Sequence, residues 1–313
     1  MSDTSANSTE RVDCLVIGGG PAGLTAAIYL ARFHLSVLVV AAGDGRAAMI
    51  PATRNHAEFP DGISGIDLLS RMRAQASKYG AAFENGTITS LGVTDNGTFR
   101  GMAAERMISA RTVLLATGVS NRRPVAMSER QHEEAVRRGL LRYCPVCDGY
   151  EVTDRPIGVI GTGKPSLAEA EFLRSHTSNL SLIAPDGDHN FDEEQRKRAD
   201  AAGLILLAGP CLEFSLHAEW IDVRLPGGPK AFFSIYAALG TTIRSKLAVA
   251  LGVRTTKDGC PVVDQHQRTS IRGLYAAGDL VLGLDQISHA MGQAGVAATT
   301  IRNDLAQVNP LGR

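Results

Sequence analysis

RVDCLVIGGGPAGLTAAIYLAR, residues 11–32, is the stretch that decides the fold. An apolar, β-branched run from Arg11 to Ile17 enters Gly18-Gly19-Gly20-Pro21-Ala22-Gly23, and from Leu24 to Arg32 the apolar residues fall at helical spacing. SVLVV at 36–40 is a second apolar strand, which completes a βαβ unit. In that setting Gly18-x-Gly20-x-x-Gly23 reads as a dinucleotide turn. Gly18 permits the tight bend, Gly20 lets a pyrophosphate approach the backbone, and Gly23 lets helix and strand pack closely. The helix start offers free N–H groups and the positive end of its dipole to the diphosphate. The acidic residue that normally holds the ribose near the end of the second strand is missing, and Ala41 stands about where it belongs. Asp44 and Arg46 are nearby substitutes, although an exposed Asp-Gly turn accounts for Asp44 better.

Working outward, the same plan recurs: a strand at 155–160, the turn Gly161-Thr162-Gly163-Lys164-Pro165-Ser166, a helix at 167–174 and a strand at 180–184. Two such units imply a doubly wound α/β protein. Residues 65–80 carry a helical repeat, and 107–116 is a strand ending in Thr117-Gly118. A charged helix is expected at 192–202 and short strands across 204–233. Residues 274–277 form a strand ending in Gly278-Asp279, followed by a helix of small residues at 290–301.

Composition bounds the function. The 313 residues allow about two domains. With 32 Lys+Arg against 32 Asp+Glu, the chain lacks the basic surplus that nucleic-acid binding needs. A hydrophobic fraction of 44% with 20% charged residues is that of a soluble globular protein, which excludes disorder as the main state. Residues 1–10 read as a disordered polar tail and not as a signal peptide. No apolar run reaches the ~18 residues of a membrane helix, so no membrane partner is expected. Five scattered cysteines are too few for a disulfide scaffold, which makes the cytoplasm the expected compartment.

Cys144-Pro145-Val146-Cys147 carries the chemistry. Its spacing at a helix start brings two sulfurs within disulfide reach and favours a thiolate. Asp148, next in the chain, is placed to shuttle a proton to or from the pair. Half of a zinc site is the alternative, but Cys14, Cys211 and Cys260 are singletons with no histidine at ligand spacing, so no metal is expected. Cys14 reads as a small buried hydrophobe, Phe214 and Trp220 as packing.

With these pieces in place the chain resembles the low-molecular-weight thioredoxin reductases, FAD-dependent pyridine-nucleotide disulfide oxidoreductases. The resemblance is carried by GGGPAGLTAAIYLAR (18–32), FPDGISGIDLLSRMRAQASKYGA (59–81), LLATGV (114–119), YCPVCDGYE (143–151), GLYAAGD (273–279) and QISHAMGQAGVAA (286–298). It implies two Rossmann-like, three-layer doubly wound domains, the second inserted into the first. Residues 11–118 and 246–308 would bind FAD, and 119–245 would form a pyridine-nucleotide-like domain carrying the cysteines. Gly18, Gly20, Pro21, Ala22 and Gly23 would hold the FAD pyrophosphate, with Thr117 and Gly118 a second contact. Gly278 and Asp279 would serve the ribityl–pyrophosphate side, and Asn55, Gln286 and Ile287 would lie at the flavin ring. Cys147 would face the flavin, Cys144 would exchange with substrate, and Asp148 would be the acid/base. His289 is a candidate proton donor there. The implied partner is a thioredoxin-like protein or a small dithiol or disulfide, and the implied assembly is a homodimer.

The departures matter too. His56-Ala57-Glu58 stands where the family has an aromatic residue followed by Pro-Gly. At the second turn Gly161, Gly163 and Ser166 survive as possible nucleotide contacts, and Glu169 and Ala170 match. The family's His-Arg-Arg triplet, which grips the 2′-phosphate of NADPH, aligns with Ala184-Pro185-Asp186, and a further arginine falls on Asn190. An aspartate there repels a phosphate. Three electron sources therefore stand open: NADPH through other basic residues, NADH with Asp186 on the ribose, or a degenerate nucleotide site. The last would make the protein a ferredoxin-fed disulfide reductase or an oxygen-using dithiol oxidase. A redox-sensing flavoprotein without turnover is a further alternative, which the intact cysteine pair and Asp148 disfavour.

Overall fold

A computed structural model describes residues 11–43, 45–308 and 310. The tail at 1–10 and Asp44 lie outside the described residues. The chain divides into two compact units. The first joins the described residues up to Ala48 with Ile66–Ser120 and those from Ile243 onward, and the second comprises Met49–Gly65 and Asn121–Thr242. Residues 49–65, expected from the sequence in the first domain, pack with the second unit, where Asn55 and Arg54 find their partners in Val146 and Glu151.

In the first unit the strands are β1 (Arg11–Ile17), β2 (Val37–Ala41), β3 (Ala82–Asn85), β4 (Ile88–Val93), β5 (Phe99–Ala103) and β6 (Arg106–Leu115). They run in the order β3-β2-β1-β6-β5-β4, and Leu274–Ala276 also pairs with β6. The β3-β2-β1-β6 stretch and Leu274–Ala276 are parallel, and β4–β5–β6 is antiparallel. Both faces of β1 are covered, which is why it reads as an unbroken apolar run. Cys14 and Val16 point to one side, among Ala26, Leu30 and Ala294, while Leu15 and Ile17 point to the other, among Ile88, Phe99 and Ile108. On the first side the helices Pro21–Arg32 and Ile287–Val308 meet through Ala26, Ala27, Ala294, Ala297 and Ala298. Alanines have no side chain beyond Cβ, so these two backbones can approach closely.

The second unit repeats the plan on a smaller scale. Five parallel strands run in the order Ile205–Leu207, Leu180–Ile183, Ile157–Ile160, Ser234–Ala237, Leu141–Arg142. One face packs on the helix Gly163–Leu173 through Leu167, Ala170 and Leu173. The other is covered by the antiparallel strands Glu213–Leu216, Ile221–Leu225 and Gly228–Phe232 through Phe214, Val223 and Phe232. Phe214 is therefore packing, as expected. Each unit is a Rossmann-like three-layer α/β fold.

Candidate functional site

Three segments far apart in sequence converge at the carboxyl end of β1 and β6. Gly18 has φ +118°, and a Cβ there would lie 2.2 Å from the carbonyl oxygen of Ala116. Only glycine fits so close to the neighbouring strand. A Cβ on Gly23 would meet the Gly18 carbonyl at 1.9 Å, and one on Gly278 would meet the Ala22 Cβ at 2.9 Å. Gly20, by contrast, faces open space with nothing within 4 Å. It is the N-cap of the helix that Pro21 opens, and no side chain caps that end. Its free N–H groups and bare backbone suit a diphosphate. Thr117 Oγ1 donates to the Arg244 carbonyl at 2.7 Å, and the Arg244 N–H donates to the Gly118 carbonyl at 3.0 Å, which pins the second segment.

Beside Gly278 stands an ion cluster that sequence reasoning did not foresee. Arg46 Nη1 donates to Asp279 Oδ2 at 3.1 Å and to Asp285 Oδ2 at 2.8 Å. Burial and the neighbouring Asp285 push the Asp279 carboxyl above its usual range, and the Arg46 guanidinium opposes them. Gln293 Oε1 accepts from the Gly278 N–H at 2.8 Å, and its amide nitrogen lies 2.9 Å from His289 Nε2. Gln286 precedes the helix that Ile287 opens, and its carbonyl accepts from the Ala290 N–H at 2.9 Å.

In the second unit Cys144 and Cys147 are joined as a disulfide with Cα atoms 5.3 Å apart. Cys144 caps a helix of only four residues, Pro145–Asp148, so its macrodipole is that of a single turn. Asn55 Nδ2 donates to the Val146 carbonyl, between the two cysteines, at 3.3 Å. Asp148 is held at both oxygens: Arg142 Nη1 donates to Oδ2 at 2.8 Å, and the Tyr236 hydroxyl donates to Oδ1 at 2.8 Å. Burial raises the Asp148 carboxyl above its usual range, against the charge of Arg142 and the Tyr236 hydrogen bond. On the adjoining helix, burial and then the charge of Asp148 push Glu169 up to about 7, and its Oε1 has no hydrogen-bond partner.

The second glycine turn is closely packed. A Cβ on Gly161 would lie 2.6 Å from the Ser166 Cβ, and Ser166, fully buried, donates to the Gly163 carbonyl at 3.1 Å. After the next strand, residues 184–187 are tied to 207–211 by backbone hydrogen bonds from Ala184 to Leu207, Gly209 to Gly187 and Cys211 to Pro185. Ala184 is buried and Asp186 exposed. Burial and the Asp186 charge push the Cys211 thiol up to about 11, and burial pushes Cys14 to about 12. No group of three or more metal-type side chains gathers among the described residues. No helix there is long and apolar enough to cross a membrane.

The sequence profile described as pyridine nucleotide-disulphide oxidoreductase matches residues 12–294. The chain belongs to this family. It is 29% identical over 304 residues to a thioredoxin reductase of Listeria innocua, covering 93% of each chain. A thioredoxin reductase of Aquifex aeolicus is 29% identical over 279 residues, covering 86% of this chain and 85% of its own. The crystal structure of thioredoxin reductase from Streptococcus pyogenes superimposes with a TM-score of 0.87 at 26% identity, over 96% of this chain and 100% of that one. The protein is thus an oxidoreductase of the low-molecular-weight kind, an FAD-dependent disulfide oxidoreductase resembling thioredoxin reductase. The residues present fit a flavin dinucleotide: Gly20 leaves the space a pyrophosphate needs, at an uncapped helix start, where three separate segments meet.

Proposed function

We propose that the protein exchanges an electron pair between the Cys144–Cys147 couple and the disulfide of a thioredoxin-like protein or a small dithiol partner. The observation that carries this reading is the Cys144–Cys147 disulfide with the half-buried Asp148 beside it. In the reduced form Cys144 gives its proton to Asp148 as its sulfur attacks the partner disulfide. A mixed disulfide forms and one partner thiolate leaves. Cys147 then attacks Cys144, closing the internal disulfide and releasing the second thiolate. One dithiol is oxidised and one disulfide reduced, and the two thiol protons pass to the released sulfurs, one of them by way of Asp148.

FAD, when bound, supplies the two-electron store that recharges the pair. Gly18, Gly20, Pro21, Ala22 and Gly23 would hold its pyrophosphate, with Thr117, Gly118, Gly278 and Asp279 along its length and Gln286 and Ile287 toward its ring. The discontinuous unit carrying Gly18 and Gly278 is the FAD-binding domain in this reading. The second unit is the nucleotide-like domain with the cysteines. The protein works in the cytoplasm as a homodimer, the arrangement its family resemblance implies.

NADPH is a weak donor in this reading. Asp186 stands exposed where a 2′-phosphate would need cations, and Ala184 and Pro185 bring none. A charge-assisted hydrogen bond is worth about 1.5–3 kcal/mol, so losing two or three weakens binding by orders of magnitude. A ferredoxin is then the source of electrons for this step, or the exchange runs in reverse, a small dithiol giving its electrons to the Cys144–Cys147 pair with oxygen as the final acceptor. Anaerobic stopped-flow reduction of the flavoprotein by NADPH, NADH, dithiothreitol and reduced ferredoxin tests this. Slow reduction by NADPH with no strong preference over NADH is expected. Rapid reduction at micromolar NADPH overturns it and leaves an ordinary thioredoxin reductase.

A further inference from the structure

Arg142 and Tyr236 lie on neighbouring parallel strands, and their Cα atoms are register partners. Paired positions on adjacent strands direct their side chains to the same face. Arg142 is anchored twice more through Nε, to the Gly139 carbonyl and to Ser234 Oγ, each at 3.1 Å. Ser234 in turn donates to the same Gly139 carbonyl at 2.8 Å. Only 14% of the Arg142 side chain is exposed, so the guanidinium is a largely covered, preset cation aimed at Asp148 Oδ2. Tyr236, fully buried, reaches Asp148 Oδ1 from the next strand.

The other groups around Asp148 act against its ionisation or are neutral to it. Glu169 approaches from the helix Gly163–Leu173 and holds its proton until the pH nears 7, and Glu151, itself 3.9 Å from Arg54, adds a negative charge. The His176 ring lies against the Gly149 backbone, where a Cβ would come within 2.9 Å of it. Cys144 and Cys147 complete the surroundings. Arg142 is thus the cation in direct contact with a carboxyl that burial and the Glu151 charge disfavour as an anion.

We propose that Arg142 and Tyr236 are positioning residues that keep Asp148 ionised and oriented as the proton acceptor of the Cys144–Cys147 pair. This rests on the reading of Asp148 as the proton-transfer group, given under the proposed function. Arg142 supplies the charge, and Tyr236 stops the carboxylate from rotating by occupying its second oxygen. A proton taken from Cys144 then goes to a carboxylate whose basicity the strand pair sets.

The test is the pH profile of single-turnover disulfide exchange, measured on reduced holoprotein with a small aromatic disulfide. Wild type should lose rate as pH falls through the Asp148 titration. In Arg142→Met that acid limb should move up by about one to three pH units, the effect of removing an arginine beside a carboxylate. Tyr236→Phe should move it in the same direction by less, and Arg142→Lys should return it most of the way. A limb that stays at its wild-type position in Arg142→Met or in Tyr236→Phe, with rates lowered equally at every pH, overturns the proposal and leaves a structural role. If Arg142→Met does not fold, Arg142→Lys and Tyr236→Phe carry the test, and an unmoved limb in Tyr236→Phe is again fatal. Asp148→Asn separates the two readings: a limb that survives it removes Asp148 as proton acceptor, and the proposal with it. A limb lost in Asp148→Asn but unmoved by Arg142 and Tyr236 sinks only the positioning role.

Discussion

Arg46 and Asp279, 233 residues apart in the chain, meet in an ion pair of 3.1 Å that also takes in Asp285 at 2.8 Å. The pair joins the short helical turn after the second strand to the turn after Gly278, both beside the candidate flavin cradle. Removing the cation leaves two neighbouring half-buried carboxylates without their partner. Arg46→Ala should therefore weaken FAD binding about tenfold or more, the scale of one lost charge-assisted contact. Release of FAD on dilution, followed by flavin fluorescence, measures it; unchanged retention would detach this cluster from the cofactor.

Gly18 and Gly20 should respond oppositely to the same methyl group. At Gly18 a Cβ collides with the neighbouring strand at a φ of +118°, so Gly18→Ala should fail to fold or lose several kcal/mol, roughly the scale of such backbone strain. At Gly20, φ is −81° and the space is open, so Gly20→Ala should keep the apoprotein's thermal midpoint while losing FAD affinity. Equal flavin binding in Gly20→Ala would place the pyrophosphate elsewhere.

The cysteines divide the work if the proposed roles hold. Cys144→Ser should leave a Cys147 thiolate and produce a long-wavelength absorbance band in the flavoprotein, and Cys147→Ser should lack it. Both should lose disulfide turnover. Asp148→Asn should retain flavin and slow exchange by ~10²–10⁴-fold, the range of general acid–base catalysis. Turnover retained in either serine variant would make the disulfide structural.

A charge reversal tests the nucleotide reading from the other side. Asp186 is exposed, so Asp186→Arg should fold normally. It exchanges repulsion of a 2′-phosphate for attraction, and reduction by NADPH should improve about tenfold or more relative to NADH. No gain in that ratio would mean that the tied loop at 184–187 does not meet the nucleotide.

Glu169 makes stability depend on pH. Its folded pKa, about 7, lies above the ordinary 4.5, so the folded protein holds a proton there that the unfolded chain releases. The stability this proton provides is full below about 4.5 and disappears as pH rises through about 7. Glu169→Gln should thus gain on wild type between pH 5 and pH 8 in urea midpoints. A constant difference between the two proteins would show that the carboxyl does not titrate there.

What could be read from the sequence was what is local. The strand-turn-helix at 11–32 and its counterpart at 155–174 announce themselves because glycine spacing and apolar periodicity are properties of adjacent residues. The helix at 65–80 and the cysteine pair were legible for the same reason. Arg142, Tyr236 and the pairing of Arg46 with Asp279 were not. Arg142 meets Tyr236 only because two parallel strands lie side by side in the sheet, and Arg46 meets Asp279 only after the 232 residues between them have folded back. An arginine two residues before a cysteine pair was the one local hint. The helix Glu129–Arg137, with its Ser128/Gln131 capping box, was overlooked although its signature is sequential.

The alanine seam between Pro21–Arg32 and Ile287–Val308 bears on how the chain matures during synthesis. The ribosome delivers the first helix more than 250 residues before its packing partner. Until then Ala26, Ala27 and Leu30 lack the surface that covers them, whereas residues 121–242 already contain every strand of their own parallel sheet. Domains fold as units as they emerge, so the inserted unit closes first and the discontinuous one waits for the helix Ile287–Val308. Nascent chains stalled before residue 287 would carry an exposed apolar helix face, a surface for chaperones to hold.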